Sequence, residues 1–136
     1  MVFHDKLISM QCLALDLGRK HTGVAFADAE VDIALPLDTI HHETEEELLE
    51  ALEKIVDERQ ITTIVLGLPY LSSGEEGEQV EYVRDVALKI KEACPSCTIQ
   101  FLDERQTNKT DAKTKSEDDN AQAAVTLLQV FLERAV

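Results

Sequence analysis

Three acidic residues stand at positions where folding would bring their side chains together. Asp16 ends the apolar segment CLALDLG, Glu104 ends a second such segment, CTIQFLDE, and Asp119 opens a segment of helical periodicity. A buried carboxylate is costly unless it has a partner or a metal ion. Mg²⁺ and Mn²⁺ prefer oxygen ligands, and a pair of such ions can hydrolyse phosphodiesters without a serine, histidine or cysteine nucleophile. These positions therefore predict a site for Mg²⁺ or Mn²⁺.

Each carboxylate also has a purely structural interpretation. Asp16 could form a turn, Glu104 could pair with Arg105 or Lys109, and Asp119 could cap a helix N-terminus. Acidic residues at strand ends are common, and perturbed or clustered carboxylates indicate function only statistically. Spacing alone leaves both interpretations open.

The elements that must position these carboxylates follow a regular order. Five short apolar segments predict strands, and three segments with a 3.6-residue hydrophobic period predict helices. The predicted strands span residues 12–18, 22–28, 34–40, 62–69 and 97–104, and the predicted helices span 44–57, 77–93 and 119–134. Thr44 is the predicted N-cap of the first helix, because acidic residues follow it in the first turn.

The order β-β-β-α-β-α-β-α predicts an α/β fold with one mixed sheet. Short turns join the first three strands, which predicts an antiparallel meander, with Pro36 marking the third strand as an edge strand. The last two strands are each reached through a helix, which predicts right-handed parallel crossovers. A length of 136 residues and the absence of repeats predict a single domain, 1–136.

The net charge and its distribution along the chain indicate which kinds of partner the protein could bind. The net charge of −14 argues by itself against nucleic acid, but many of the acidic residues lie between 43 and 58, on one predicted helix. Local clusters of basic residues occur at Arg19 and Lys20 and within 105–115. No apolar run approaches the ~20 residues of a membrane span. The N-terminus lacks the layout of a secretory signal, so we expect a cytoplasmic protein without membrane attachment.

The motif C-P-S-C at Cys94 and Cys97 admits a redox or a zinc interpretation. A redox pair should follow a strand and open a helix, whereas this pair follows a predicted helix and precedes a strand. No second pair completes a zinc site. We therefore predict two structural thiols flanking a turn at Pro95.

Four motifs carry a resemblance to a known family. LALDLGRKHTGVAFAD, IVLGLPYLSSGEEGEQVEYVRDVALKIK, FLDERQT and DNAQAAVTLLQVFL occur in this order from about Leu13 to Leu132. The first resembles the D-x-G-x-K-x-x-G-V-A opening of the YqgF/RuvX family. The others are similar to that family's G-L-P, D-E-R-x-T and D-x-x-x-A-A segments. The resemblance implies an RNase H-like fold.

The resemblance also implies an activity. Asp16, Glu104 and Asp119 match the family's catalytic carboxylates, which implies a metal-dependent nuclease that processes the 5′ end of pre-16S rRNA. The alternatives are a Holliday junction resolvase and a catalytically weak module that binds RNA or ribosomes. The implied partners are structured RNA or branched DNA, and ribosomal precursor particles. The implied oligomeric state is a monomer or a homodimer.

Further positions are candidates for substrate contact. The predicted substrate-binding residues are Lys20, Arg105, Lys109, Thr107, Gly18 and Gly67. For the threonine and the two glycines, a structural role in a turn is the alternative. Asn120 lies directly beside Asp119, which leaves the alignment at the third carboxylate open. The stretch between Glu104 and Asp119 is shorter than in typical members, which predicts a reduced or missing helix there.

The segment D-L-G-R-K-H-T-G also occurs in actin-like ATPases, which makes nucleotide binding a rival function. That fold needs two such domains, and the sequence has no second phosphate motif, Walker A loop or G-x-G-x-x-G. Length and motifs therefore argue against this class.

Overall fold

The computed structural model of the chain describes residues 10–28, 30, 32–69, 73–104 and 117–135, with only the backbone described at 117, 118 and 135. The strands are β1 (Gln11–Asp16), β2 (His21–Asp28), β3 (Leu35–His41), β4 (Thr63–Leu68) and β5 (Thr98–Asp103). The helices are α1 (Glu45–Arg59), α2 (Glu78–Ala93) and α3 (Glu117–Ala135). The sequence predicts a reduced or missing helix between Glu104 and Asp119. Most of that stretch, 105–116, lies outside the described residues.

The strands form one mixed sheet in the order β3-β2-β1-β4-β5. β1 pairs antiparallel with β2, and β2 with β3, while β1–β4 and β4–β5 are parallel. This is the predicted meander followed by crossovers, with β3 at the edge as Pro36 indicated. The carboxyl ends of β1, β4 and β5 consequently lie at one edge of the sheet, where the predicted carboxylates stand.

Alternation along the strands gives the sheet two buried faces. On β1, Leu13 and Leu15 belong to a core cluster shared with α1 and α2. Cys12 and Ala14 belong to a second cluster, shared with α3. Burying apolar surface on both faces supplies the main stabilisation of such a layered fold.

The face under α3 is built from small side chains, which lets the helix lie close to the strands. Ala14, Ala25 and Ala27 are almost fully buried there. At Gly23 a Cβ atom would stand only 1.9 Å from the backbone oxygen of Asn120, closer than any real contact. The absence of a side chain at Gly23 therefore allows the first turn of α3 to lie directly against β2.

Helix α1 begins as the sequence predicts. The Thr44 hydroxyl accepts a hydrogen bond from the Glu47 backbone N–H at 3.1 Å. The Glu47 carboxylate in turn accepts from the Glu43 backbone N–H at 2.7 Å. The helix runs to Arg59, two residues beyond the predicted end, and Gln60 closes it in the left-handed conformation with φ of 54°.

Burial of His42 makes stability depend on pH. His42 is 3% exposed, and its Nε2 lies 3.0 Å from the Thr22 hydroxyl. Burial lowers the pKa of His42 below its usual 6.5, against smaller opposing effects of the Thr44 backbone and of Glu47. The folded protein therefore resists a proton that the unfolded chain takes up, and the free energy of unfolding falls as pH drops below about 6.5.

We expect His42→Gln, which keeps a polar group near Thr22, to remove this contribution. The difference in unfolding free energy between wild type and variant, measured by urea denaturation from pH 5 to 8, should be largest above pH 6.5 and shrink below it. One group supplies a slope of at most about 1.4 kcal/mol per pH unit. A pH-independent difference would contradict this role. His41→Gln, at an exposed neighbouring position, is the control.

Cys94 and Cys97 flank a turn at Pro95, as the sequence predicts, and Cys12 lies in β1. All three are free and buried, and the Cys97 N–H donates to the Cys94 oxygen at 3.1 Å across the turn at Pro95. Burial raises the pKa of Cys12 and of Cys94 to about 11, and also raises that of Cys97. A pKa near 11 leaves only about one thiol in a thousand as thiolate at pH 8.

We therefore expect Ellman's reagent at pH 8 to leave the folded protein almost unmodified over an hour. In urea the same reagent should titrate all three thiols. Rapid labelling of one or two thiols in the folded protein would show that the turn at Pro95 carries a reactive pair after all.

Candidate metal centre at the end of the parallel strands

Asp16 is the last residue of β1 and pairs across the ladder with Gly23. By alternation it shares a sheet face with Cys12 and Ala14, which pack against α3. Its side chain is partly buried. The strand therefore carries the Asp16 carboxyl to the point where β1 ends beneath the first turn of α3.

Glu104 directly follows β5 and is 9% exposed. Leu102, two residues earlier in β5, packs against α3. The Glu104 carboxyl group lies over Gly67 of β4: a Cβ there would stand 2.7 Å from both Cγ and Oε2 of Glu104. Gly67 thus provides the space that the Glu104 side chain occupies.

The two carboxylates line a common pocket of about 320 Å³. Its walls come from the end of β1 and the following turn, the start of β2, the end of β4, and the first turns of α2 and α3. The lining residues are Asp16, Leu17, Gly18, His21, Pro69, Gln79, Glu104 and Asn120. Asp16 from β1 and Glu104, the residue after β5, thus line one pocket.

Helix α2 holds the turn after β1 in place. Gln79 Nε2 donates to the Leu17 backbone oxygen at 3.3 Å, and the Tyr82 hydroxyl donates to the Gly18 oxygen at 3.4 Å. The Arg19 guanidinium lies 4.3 Å from the centre of the Tyr82 ring. At Gly18 a Cβ would stand 2.3 Å from the His21 oxygen, so the turn requires glycine. The wall of the pocket beside Asp16 is therefore preorganised.

Two further predicted site residues that the structure describes, Asp119 and Lys20, do not line the pocket. Asp119 lies in the first turn of α3, but its side chain is exposed and the pocket is lined by its neighbour Asn120. Lys20 is exposed, and its Nζ lies 3.7 Å from a Glu43 carboxylate oxygen, away from the pocket lining. The predicted contacts at Arg105, Thr107 and Lys109 lie outside the described residues.

The donor set suits a hard cation. The residues that line the pocket include two carboxylates, Asp16 and Glu104, and an amide that could donate oxygen, Asn120, beside a single imidazole, His21. Oxygen ligands suit Mg²⁺ or Mn²⁺ better than Zn²⁺, which favours sulfur and imidazole nitrogen. Within the described ranges, no group of three or more histidine, cysteine, aspartate or glutamate side chains is arranged to hold a metal ion. The fit therefore rests on two carboxylates and a neutral oxygen donor.

Sequence reasoning missed the roles of His21, Gln79 and Asn120 in the lining. His21 begins β2, and its Nδ1 lies 2.8 Å from Nδ1 of His41, its partner in the register with β3. Only the strand register brings these two imidazoles together. For Asn120 a signal existed, because it lies four and eight residues before the buried Ala124 and Leu128, on the sheet-facing stripe of α3.

Comparison with known proteins settles the family. The family model described as "RuvX: Holliday junction resolvase" matches residues 10–134, almost the whole chain. The chain belongs to the RuvX family. This confirms the predicted membership, which rested on the four motifs.

Relatives of this RuvX protein carry a second name. Two proteins, from Chloroflexus aurantiacus and Dictyoglomus thermophilum, are 35% and 34% identical to it over 89% and 91% of this chain. The matches cover 85% and 96% of those relatives. Both are named "Putative pre-16S rRNA nuclease". The names support the predicted class of enzyme, which hydrolyses phosphodiester bonds.

Solved structures confirm the RNase H-like fold of the RuvX chain. Thermus thermophilus RuvC, determined in complex with a Holliday junction substrate, superimposes with a TM-score of 0.62 over 93% of this chain and 97% of that one. The yeast mitochondrial Holliday junction resolvase gives a TM-score of 0.60 over 91% and 78%. At 12% identity, both likenesses concern the fold alone.

Proposed function

We propose that this protein is a nuclease that hydrolyses phosphodiester bonds with Mg²⁺ or Mn²⁺, acting in the cytoplasm on the 5′ end of pre-16S rRNA. One observation carries the proposal: Asp16 from β1 and Glu104 after β5 line the same pocket. The sequence resemblance assigns catalytic carboxylates to these two positions, and the relatives' names supply the substrate.

The carboxylates of Asp16 and Glu104 would hold the cation. A bound divalent ion supplies Lewis-acid chemistry, since it polarises a phosphate and neutralises the charge that develops on it. Glu104, 9% exposed and seated over Gly67, has little freedom to move and would keep its carboxylate oriented. Asp16 is more exposed than Glu104 and lies beside the turn that Gln79 and Tyr82 hold in place.

Charge limits how nucleic acid approaches. With a net charge of −14, the protein gains no general attraction to a polyanion. The bound cation and local clusters of basic residues must supply it. Arg19 and Lys20 follow β1, and Arg105 and Lys109 follow Glu104 in sequence. We propose that these residues contact phosphates, which would favour recognition of backbone shape over base sequence.

A second candidate substrate, a four-way DNA junction, is supported by the fold shared with RuvC and by the family description. The two substrates can be compared directly. End-labelled RNA spanning the 5′ end of 16S rRNA and a labelled four-way junction are incubated with the full-length protein and Mg²⁺ or Mn²⁺.

The proposal predicts metal-dependent cutting of the RNA at a defined position and weaker or no cutting of the junction. Preferential cutting of the junction would assign the resolvase activity instead. Binding of RNA without cutting of either substrate, in either metal, would overturn the nuclease and leave a binding module.

A further inference from the structure

We infer that the third position of the metal site is taken by the amide of Asn120 and not by the carboxylate of Asp119. The inference rests on the proposed function, because it concerns the same pocket. It makes the site one carboxylate short of the set that the sequence predicts, so that Asp16 and Glu104 alone balance the charge of a single divalent cation.

The lining of the pocket distinguishes the two neighbours. Asn120 contributes to the wall with Asp16 and Glu104, whereas Asp119 does not and has an exposed side chain. Successive residues of an α-helix point about 100° apart, as 3.6 residues per turn require. The two neighbouring side chains therefore leave the helix in different directions, and of the two residues Asn120 is the one that lines the pocket.

The rotation of α3 is fixed at two places. Asn120, Ala124 and Leu128 are spaced four residues apart, and the latter two are fully buried against the sheet. The Asn120 backbone oxygen also occupies the space that a side chain at position 23 would fill. Turning the helix to bring Asp119 inward would withdraw the buried residues and drive the backbone into β2.

The difference between an amide and a carboxylate matters for metal affinity. Both offer an oxygen to Mg²⁺ or Mn²⁺, but only the carboxylate adds negative charge, and affinity at such sites rises with the number of charged ligands. Restoring the charge by Asn120→Asp should tighten Mn²⁺ binding, whereas Asp119→Asn should leave it unchanged. Aspartate in the first turn of a helix is also favourable, so Asn120→Asp should fold.

The test is calorimetric titration of Mn²⁺ into the full-length wild type and the variants at fixed pH and low ionic strength. Wild type should bind one Mn²⁺, Asn120→Asp should bind at least about tenfold more tightly, and Asp119→Asn should stay within about twofold. Gln122→Asp adds the same charge at an exposed position of the helix and is the control for general electrostatic attraction. A larger rise in melting temperature on adding Mn²⁺ to Asn120→Asp provides a second readout.

Loss of Mn²⁺ binding in Asp119→Asn would overturn the inference, as would unchanged binding in Asn120→Asp or an equal gain in Gln122→Asp. Cleavage assays on the same proteins separate this result from the proposed function. Tighter binding in Asn120→Asp without cutting by any variant would contradict the nuclease and support the inference. If the wild type cuts and Asp119→Asn loses both Mn²⁺ binding and cutting, the nuclease is supported and the inference is contradicted.

Discussion

Replacing Asp16 by asparagine should lower the cleavage rate by at least about 10³-fold, since a metal ion contributes several kcal/mol to charge stabilisation and each 1.4 kcal/mol is a factor of ten. The side chain keeps its shape and loses its charge. Asp16 ends β1 at the pocket, so no other residue of the strand can substitute for it. The measurement is single-turnover cleavage of the substrate identified above, at saturating Mn²⁺.

The matched control is Asp28→Asn. Asp28 also ends a strand, but it lies at the opposite end of the β1–β2 ladder, opposite Gln11. It accepts hydrogen bonds from the Gln11 side chain and the Glu30 backbone, so its loss should affect stability alone. Equal rates for wild type and Asp16→Asn would remove Asp16 from the catalytic site.

Gly67→Ala should lower the cleavage rate by about 10²-fold while leaving the fold intact. The three atoms nearest to the added Cβ would be Cγ, Cδ and Oε2 of Glu104, so this buried side chain, and no nearby backbone, would have to shift. Displacing a catalytic group by about 1 Å is enough for a loss of that size. The melting temperature should fall only modestly, because one buried side chain must shift and the backbone need not.

A double-mutant cycle tests whether the glycine acts through Glu104. Glu104→Gln alone should be at least as impaired as Gly67→Ala, and the double variant should be no worse than Glu104→Gln. Additive losses would instead mean that Gly67 contacts the substrate directly. That outcome would restore the substrate-binding role that the sequence assigned to this residue.

Much of the architecture could be predicted from the sequence, because it follows from periodicity. The strand segments, the antiparallel meander and the parallel crossovers all follow from hydrophobic patterns and connection lengths, and the structure confirms them. Asp16 and Glu104 could be selected because polar residues interrupted apolar strands at their ends. Helix ends were less predictable, as the two extra residues of α1 show.

Interactions between distant elements could not be predicted. The function of Gly67 depends on the parallel register of β4 with β5, which places Glu104 over it. The choice between Asp119 and Asn120 depends on the rotation of α3, which the close approach at Gly23 fixes. The ion pair between Lys20 Nζ and a Glu43 carboxylate oxygen, 3.7 Å apart, likewise joins segments that lie far apart in the sequence. No single-sequence pattern records these contacts.

The measurement that tests the central claim most directly is a calorimetric titration of Mn²⁺ into wild type, Asp16→Asn and Glu104→Gln without any nucleic acid. If the two carboxylates hold one cation between them, the wild type should bind one Mn²⁺ and each variant should bind at least about tenfold more weakly, with Asp28→Asn unchanged. Undiminished binding in both variants would show that the pocket between β1, β5 and α3 is not the metal centre.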